Sequence, residues 1–174
     1  IDWQVCCRAW AKWVLSQYSG ERIILLVDET KLANHLSVMV VGLAYRSCCI
    51  PLAFWCYLPK SWPMKQVDLI VTLLAWIAPS IPLGIIPLVQ ADRGIGTSPD
   101  LLRAIVQMGW YFEVRVQKNT RLRREAQDDC PLAALVSAAG QTWRGSGQVF
   151  KKAGWLDADV VVVWGTAYRE CWCL

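Results

Sequence analysis

Two aspartates, Asp28 and Asp92, each close a short apolar run: Ile23-Ile24-Leu25-Leu26-Val27-Asp28 and Ile85-Ile86-Pro87-Leu88-Val89-Gln90-Ala91-Asp92. Short runs rich in β-branched residues and closed by a polar turn read as buried strands of one sheet. A carboxylate at such a strand end is held firmly and faces water at the rim of the sheet. Two of them side by side repel, and a shared divalent cation relieves the repulsion. Hard oxygen ligands select Mg²⁺ or Mn²⁺ over zinc. Two such ions can activate an attacking hydroxyl and relieve the departing oxygen of a phosphodiester. Asp28 is the candidate bridge between two ions and Asp92 the candidate holder of one.

Basic residues supply a second pattern. Arg115, Lys118, Arg121, Arg123 and Arg124 lie close together in the chain, against a mild net charge of +4. That run suits either a polyanion-facing strand and loop or a merely solvated face. Arg115, Lys118 and Arg121 are candidate contacts to a phosphate backbone, which would give affinity without reading sequence. Arg93, directly after Asp92, can orient a phosphate or pair with that aspartate. Thr30 follows Asp28 on the same side of an extended chain, either near the site or as a turn residue. The single histidine, His35, reads as a structural polar residue.

The elements that must position these residues follow from periodicity. Residues 3 to 18 predict a helix with Trp3, Cys7, Trp10, Val14 and Tyr18 on one stripe, ended by Gly20. Strands follow over 22 to 28, about 35 to 45 and about 48 to 58, the last two joined by a tight turn at Arg46-Ser47. Lys65 to Ile77 is a helix with Val67, Ile70, Leu74 and Ile77 inward. Pro87 starts the strand that runs to Asp92. Ser98, Pro99, Asp100 and Gly109 mark the ends of another helix, with Leu101, Ile105 and Met108 inward. Residues 110 to 118 alternate as a strand. From Leu132 onward the tail, with Val160-Val161-Val162-Val163, reads as β-rich and separate.

The 174 residues suffice for a substantial core. The chain opens on Ile1 and closes on Cys171-Trp172-Cys173-Leu174 in mid-pattern, as a piece of a longer protein, truncated at both ends, does. Eight cysteines form no CxxC pair and have one histidine for company, so they read as buried free thiols in a reducing cytoplasm and not as a zinc site. Residues 69 to 91 carry no charge, but Pro79, Pro82, Gly84 and Pro87 break the stretch into pieces too short to span a bilayer. No membrane is therefore expected.

The predicted order β-β-β-α-β-α-β, with acids closing the first strand and the strand after its helix, is by analogy that of a ribonuclease-H-like sheet. The segments ILLVDET, GLAYRSCCIPLAFWCY and LVQADRGIGTSPDLLRAIVQMGWYFEVRVQKN, with the β-rich tail, resemble DDE transposases of bacterial insertion sequences. More narrowly they resemble the branch whose catalytic core is interrupted by a β-rich insertion. The resemblance implies an α/β fold: a ribonuclease-H-like mixed sheet with flanking helices, plus a β-rich insertion subdomain. An N-terminal helix would span 1–20, the first part of the core 21–125 and an incomplete insertion 126–174.

It further implies metal-dependent cleavage and strand transfer at transposon ends, with Asp28 and Asp92 as catalytic metal ligands and two Mg²⁺ (or Mn²⁺) ions. DNA is the implied partner, a homodimer on DNA the implied assembly, and the nucleoid of the cytoplasm the implied place. The family's third acid is a glutamate on a helix that also carries tyrosine, arginine and lysine at fixed spacing. Glu170 has Val163 and Thr166 where tyrosine and arginine belong, so it is expected on extended chain of the insertion, away from the two aspartates, with the third acid beyond Leu174. An integrase-like spacing would instead use Asp128 or Asp129. Members that form DNA hairpins stack a flipped base on an aromatic of the insertion, and Trp143 and Trp155 lie in that region, as clamp or as core. The alternative to an enzyme fragment is a non-catalytic, transposon-derived remnant that at most binds DNA.

Overall fold

Alternating apolar residues and a few well-placed turns build two five-stranded sheets in this computed structural model, which describes residues 2–33, 35–124 and 129–174. In chain order the elements are α1 (Trp3–Ser16), β1 (Ile24–Leu32), β2 (Leu36–Tyr45), β3 (Cys48–Tyr57), α2 (Gln66–Ile77), β4 (Leu88–Ala91), the single turn α3 (Arg93–Gly96), α4 (Pro99–Gln107) and β5 (Tyr111–Val114). Then come β6 (Arg121–Arg123), β7 (Cys130–Pro131), β8 (Thr142–Val149), β9 (Leu156–Val163) and β10 (Trp172–Cys173). The chain divides into one unit of residues 1–91 with 100–113 and another of 92–99 with 114–174. Mixed α/β with two mostly-β sheets is the architecture.

The first sheet has strand order β3-β2-β1-β4-β5. β1, β2 and β3 are antiparallel in sequence, whereas β4 runs parallel to β1. Tyr111 N–H donates to the Pro87 carbonyl at 3.0 Å, bringing β5 alongside β4. One face carries Leu25, Val27, Met39, Val41, Leu43, Ala53 and Val89, all nearly or fully buried. α2 contributes Leu69, Ile70, Leu73, Leu74, Trp76 and Ile77 to the same core, with Trp76 against Trp55 of β3. Each such side chain stabilises the unit by about 1.5–3 kcal/mol of transfer energy, before the entropy of ordering is set against it.

The β2–β3 hairpin turns at Arg46-Ser47 as expected, with Arg46 in the left-handed region at φ 54°. A register shift between Val41 and Gly42 bends the pair. Glycine is required there: a Cβ on Gly42 would lie 2.3 Å from Cys49 Sγ and 2.9 Å from the Ile50 carbonyl. Pro51 is tolerated because β3 is an edge strand, and its carbonyl accepts the Trp10 indole N–H at 2.6 Å.

Three expectations about elements are corrected. β1 does not end at Asp28 but continues to Leu32, because β2 offers a partner for every residue down to Leu36. α1 buries Cys7, Ala11, Val14 and Leu15, while Trp3 and Trp10 are 60% and 45% exposed, so the tryptophans flank the buried stripe. The strand over 110 to 118 stops at Val114, after which Val116 changes partner and bridges Cys173. All eight cysteines are free, but Cys6, Cys48, Cys49 and Cys56 are exposed, and Cys7, Cys171 and Cys173 alone are buried. The exposed four sit on α1 and on edge strand β3.

α2 stops at Ile77, where Pro79 enters a short 3-10 turn, so the uncharged stretch 69 to 91 is divided between helix, loop and strand. Among the described residues no helix is long and apolar enough to cross a membrane. The second unit is built on a sheet of order β10-β9-β8-β6-β7. Its β8–β9 hairpin pairs Thr142 with Val163 through Val149 with Leu156, and Leu122, Val149, Val160, Val162 and Cys173 are buried.

Candidate functional site

Parallel pairing aligns the strand residues that precede the two aspartates. Val27 of β1 stands opposite Ala91 of β4, the last pair of that ladder, and Asp28 and Asp92 are the next residues of their chains. Asp28 is exposed and stands opposite Val40 on its other side. Thr30 is exposed on the same face, as the alternation requires. The intervening Glu29 belongs to the opposite face. There, burial first and Glu29 second hold the Tyr57 phenol well above its ordinary range. The Tyr57 hydroxyl itself has no hydrogen-bond partner among the described residues.

Asp92 is the N-cap of α3. Its Oδ1 accepts from Gly94 N at 2.8 Å and from Ile95 N at 3.2 Å, which fixes the side chain against its own backbone. Oδ2 has no hydrogen-bond partner among the described residues. Each carboxylate is a hard oxygen donor of the kind Mg²⁺ or Mn²⁺ takes. Two acids are too few to hold two ions, and among the described residues no group of three or more His, Cys, Asp or Glu could hold a metal. Asp128 lies outside the described residues.

Glu170 sits in a bend before β10, on a loop and not on a helix, as expected. Its surroundings are the surprise. Lys118 Nζ reaches Glu170 Oε2 at 2.9 Å, and Arg93 Nη1 reaches Oε1 at 3.6 Å. Arg93, its second partner, directly follows Asp92 in the chain. Lys118 first, then the Arg93 and Arg115 charges, hold the Glu170 carboxyl below its ordinary range.

The other cations of the basic run also have partners. Arg115 lies over the Trp172 ring, 4.1 Å from its centroid, and Tyr168 packs on the same indole at 5.2 Å. Arg123 covers Trp155 at 4.4 Å and Arg124 covers Trp143 at 5.8 Å, each within cation–π range. Arg121 grips Asp129 through Nε at 3.3 Å and Nη2 at 3.1 Å, and Lys151 reaches the same carboxylate at 3.0 Å. Asp129 therefore clamps β6 to the turn after β8.

Arg121 first, then Lys151, pull the Asp129 carboxyl down to about 2 from 3.8. A depressed carboxylate stabilises the fold in full above its ordinary value, and that share fades as pH falls from 3.8 towards 2. Asp129→Asn is accordingly expected to lower the thermal midpoint at pH 7 and to converge on the parent protein by pH 2. Melting curves taken from pH 7 to 2 check this, and a constant gap across the series would contradict it.

Two features escaped the sequence reading. Cys49 shares the Asp28 face, its sulfur packed over Gly42, and desolvation followed by the Cys48 and Asp28 charges raises its thiol. The long-range pairing of Glu170 with Arg93 and Lys118 left no local signal, since partners so distant in sequence show no periodicity. His35 is exposed in the β1–β2 turn, its N–H donating to the Leu32 carbonyl at 3.3 Å, which suits a structural role. A scan against models of protein families finds no match to this chain, and a search of curated proteins finds none either.

Proposed function

We propose that this chain carries part of the catalytic core of a DDE transposase, with its first sheet as a ribonuclease-H-like sheet and its second as a β-rich insertion. The observation that carries the reading is the parallel β1–β4 pairing, in which Asp28 and Asp92 follow the facing residues Val27 and Ala91. The strand order β3-β2-β1-β4-β5, antiparallel on one side of β1 and parallel on the other, supports it too. Acidic positions that end a parallel ladder lie where the sheet rim meets solvent, as such folds use them.

Asp28 and Asp92 would hold Mg²⁺ or Mn²⁺, which supplies an activated hydroxyl and charge relief for the departing oxygen of a DNA phosphodiester. Asp92 is suited to it because capping occupies Oδ1 and fixes the direction of Oδ2. The substrate on this reading is DNA at transposon ends, acted on by a homodimer on the nucleoid. The second reading, a DNA-binding remnant that does not cut, is favoured by the lack of any group of three metal-ligating residues among those described.

Iron-directed cleavage separates the two. Fe²⁺ with ascorbate in place of Mg²⁺ is expected to cut the polypeptide near Asp28 and near Asp92 together. Excess Mg²⁺ or Asp28→Asn should suppress both cuts. Cutting at neither position, or at one alone, would leave the remnant reading. Because two acids under-coordinate one ion, Mg²⁺-dependent nicking of supercoiled plasmid by the 174-residue chain is expected to be weak or nil. Glu170→Gln should not change it. Strong nicking lost in that variant would make Glu170 a metal ligand.

A further inference from the structure

We infer that Glu170 is an internal stand-in for a DNA phosphate, occupying an anion site made by Arg93 and Lys118 until the DNA backbone displaces it. The inference rests on the reading above only for its choice of DNA as the anion. All three residues belong to one unit, and the chain around each is pinned. Arg93 opens the turn that Asp92 caps. The loop of Lys118 is tied down where Ala133 N–H donates to its carbonyl at 2.9 Å and Leu132 N–H to that of Thr120 at 2.9 Å. Glu170 directly precedes Cys171, and Val116 N–H donates to the Cys173 carbonyl at 2.9 Å.

The side chains themselves remain open to solvent, at 51% for Arg93, 57% for Lys118 and 41% for Glu170. Arg93 takes one carboxylate oxygen and Lys118 the other. A phosphodiester likewise offers two non-bridging oxygens, and the same pair of donors can accept it. Two cations face one carboxylate, with Arg115 adding to the local positive field, so the site is over-supplied with positive charge for its present occupant. Exchange is inexpensive, because an ion pair this open to solvent contributes little. A phosphate entering such a site also releases counterions, which the carboxylate does not.

Removing the stand-in should therefore strengthen binding. The probe is a fluorescent mixed-sequence DNA duplex, titrated with the 174-residue chain over a series of salt concentrations. Glu170→Gln is expected to tighten binding roughly three- to fivefold at low salt, as loss of a weak surface pair allows. Adding Lys118→Ala to that variant should cancel the gain and reduce the logarithmic salt slope by about one. Asp159→Asn makes the same change in net charge, but its carboxylate meets the Ser146 hydroxyl at 2.6 Å and has no cation partner among the described residues. That control should move affinity less than twofold.

An unchanged or weaker affinity in Glu170→Gln would overturn the inference. So would an equal gain in Asp159→Asn, or duplex binding by none of the variants. Circular dichroism of each variant confirms that folding is retained. The polypeptide cuts near Asp28 and Asp92 report on the metal reading separately, so the failure of one leaves the other standing.

Discussion

Asp28→Asn is expected to lower Mg²⁺-dependent DNA cleavage by on the order of 10³-fold or more, in a polypeptide that supplies the third acidic ligand. Duplex binding should be kept or tightened, since the change removes a negative charge from the surface proposed to meet phosphate. Asp28 is exposed on a strand paired on both sides, and asparagine fits the same extended backbone, so folding is spared. Asp92 allows a finer separation. Asp92→Asn keeps an N-cap acceptor of nearly equal quality, and should lose cleavage without losing stability. Asp92→Ala also forfeits the hydrogen bonds to Gly94 and Ile95, adding about 1 kcal/mol of destabilisation. Plasmid cleavage, duplex retention and thermal midpoints measured side by side check the pattern. Cleavage and binding lost together in Asp28→Asn would assign the residue a folding role.

Local patterns in the chain carried far in some places and stopped short in others. The run before Asp28, the Arg46-Ser47 turn, the helix ending at Ile77 and the valines of β9 are all readable, because periodicity and turn chemistry act within a few residues. The continuation of β1 through Glu29, Lys31 and Leu32 is not, because those residues are held by pairing with β2 and not by burial of their own. In α1 the tryptophans dominate any hydropathy pattern, yet the small Cys7 and Ala11 are what fit against the rest of the unit. Bulk and burial part company wherever a helix packs closely.

The candidate site divides the same way. The facing of Val27 and Ala91, which precede Asp28 and Asp92, follows from two apolar runs that read as strands of one sheet, so that pairing was legible. What the cations do was not. Arg115, Arg123 and Arg124 lie on indoles, while Arg121 and Lys118 are paired with acids, and every partner but Asp129, eight residues from Arg121, comes from a distant stretch of chain. A charge run alone states how much positive potential a surface could present, and the fold decides how much of it stays unspent.

Gly96→Val is expected to be the most damaging of the small changes near Asp92. A Cβ at Gly96 would lie 2.6 Å from Val114 Cβ and 2.9 Å from the Arg115 carbonyl oxygen. One of these is main chain and the other the root of a β-branched side chain, so neither can swing aside. Overpacking of this kind costs about 1–3 kcal/mol, and the upper end applies where backbone must move. At 2–4 °C per kcal/mol for a chain of this size, the thermal midpoint should fall by roughly 5–10 °C. Gly109 provides the contrast, since its φ of +75° strains any replacement but a Cβ there meets nothing within 4 Å. Gly109→Ala should therefore cost only about 1–2 kcal/mol, the ordinary penalty for a left-handed residue with a side chain. The turn that Gly96 closes is the one Asp92 caps and Arg93 opens, so displacing it shifts both residues. Gly96→Val should accordingly weaken metal-directed cutting near Asp92 and near Asp28 together, since the two carboxylates share the ion on this reading, while the strand signal in circular dichroism is kept; loss of that signal would mean that the substitution unfolds the sheet itself.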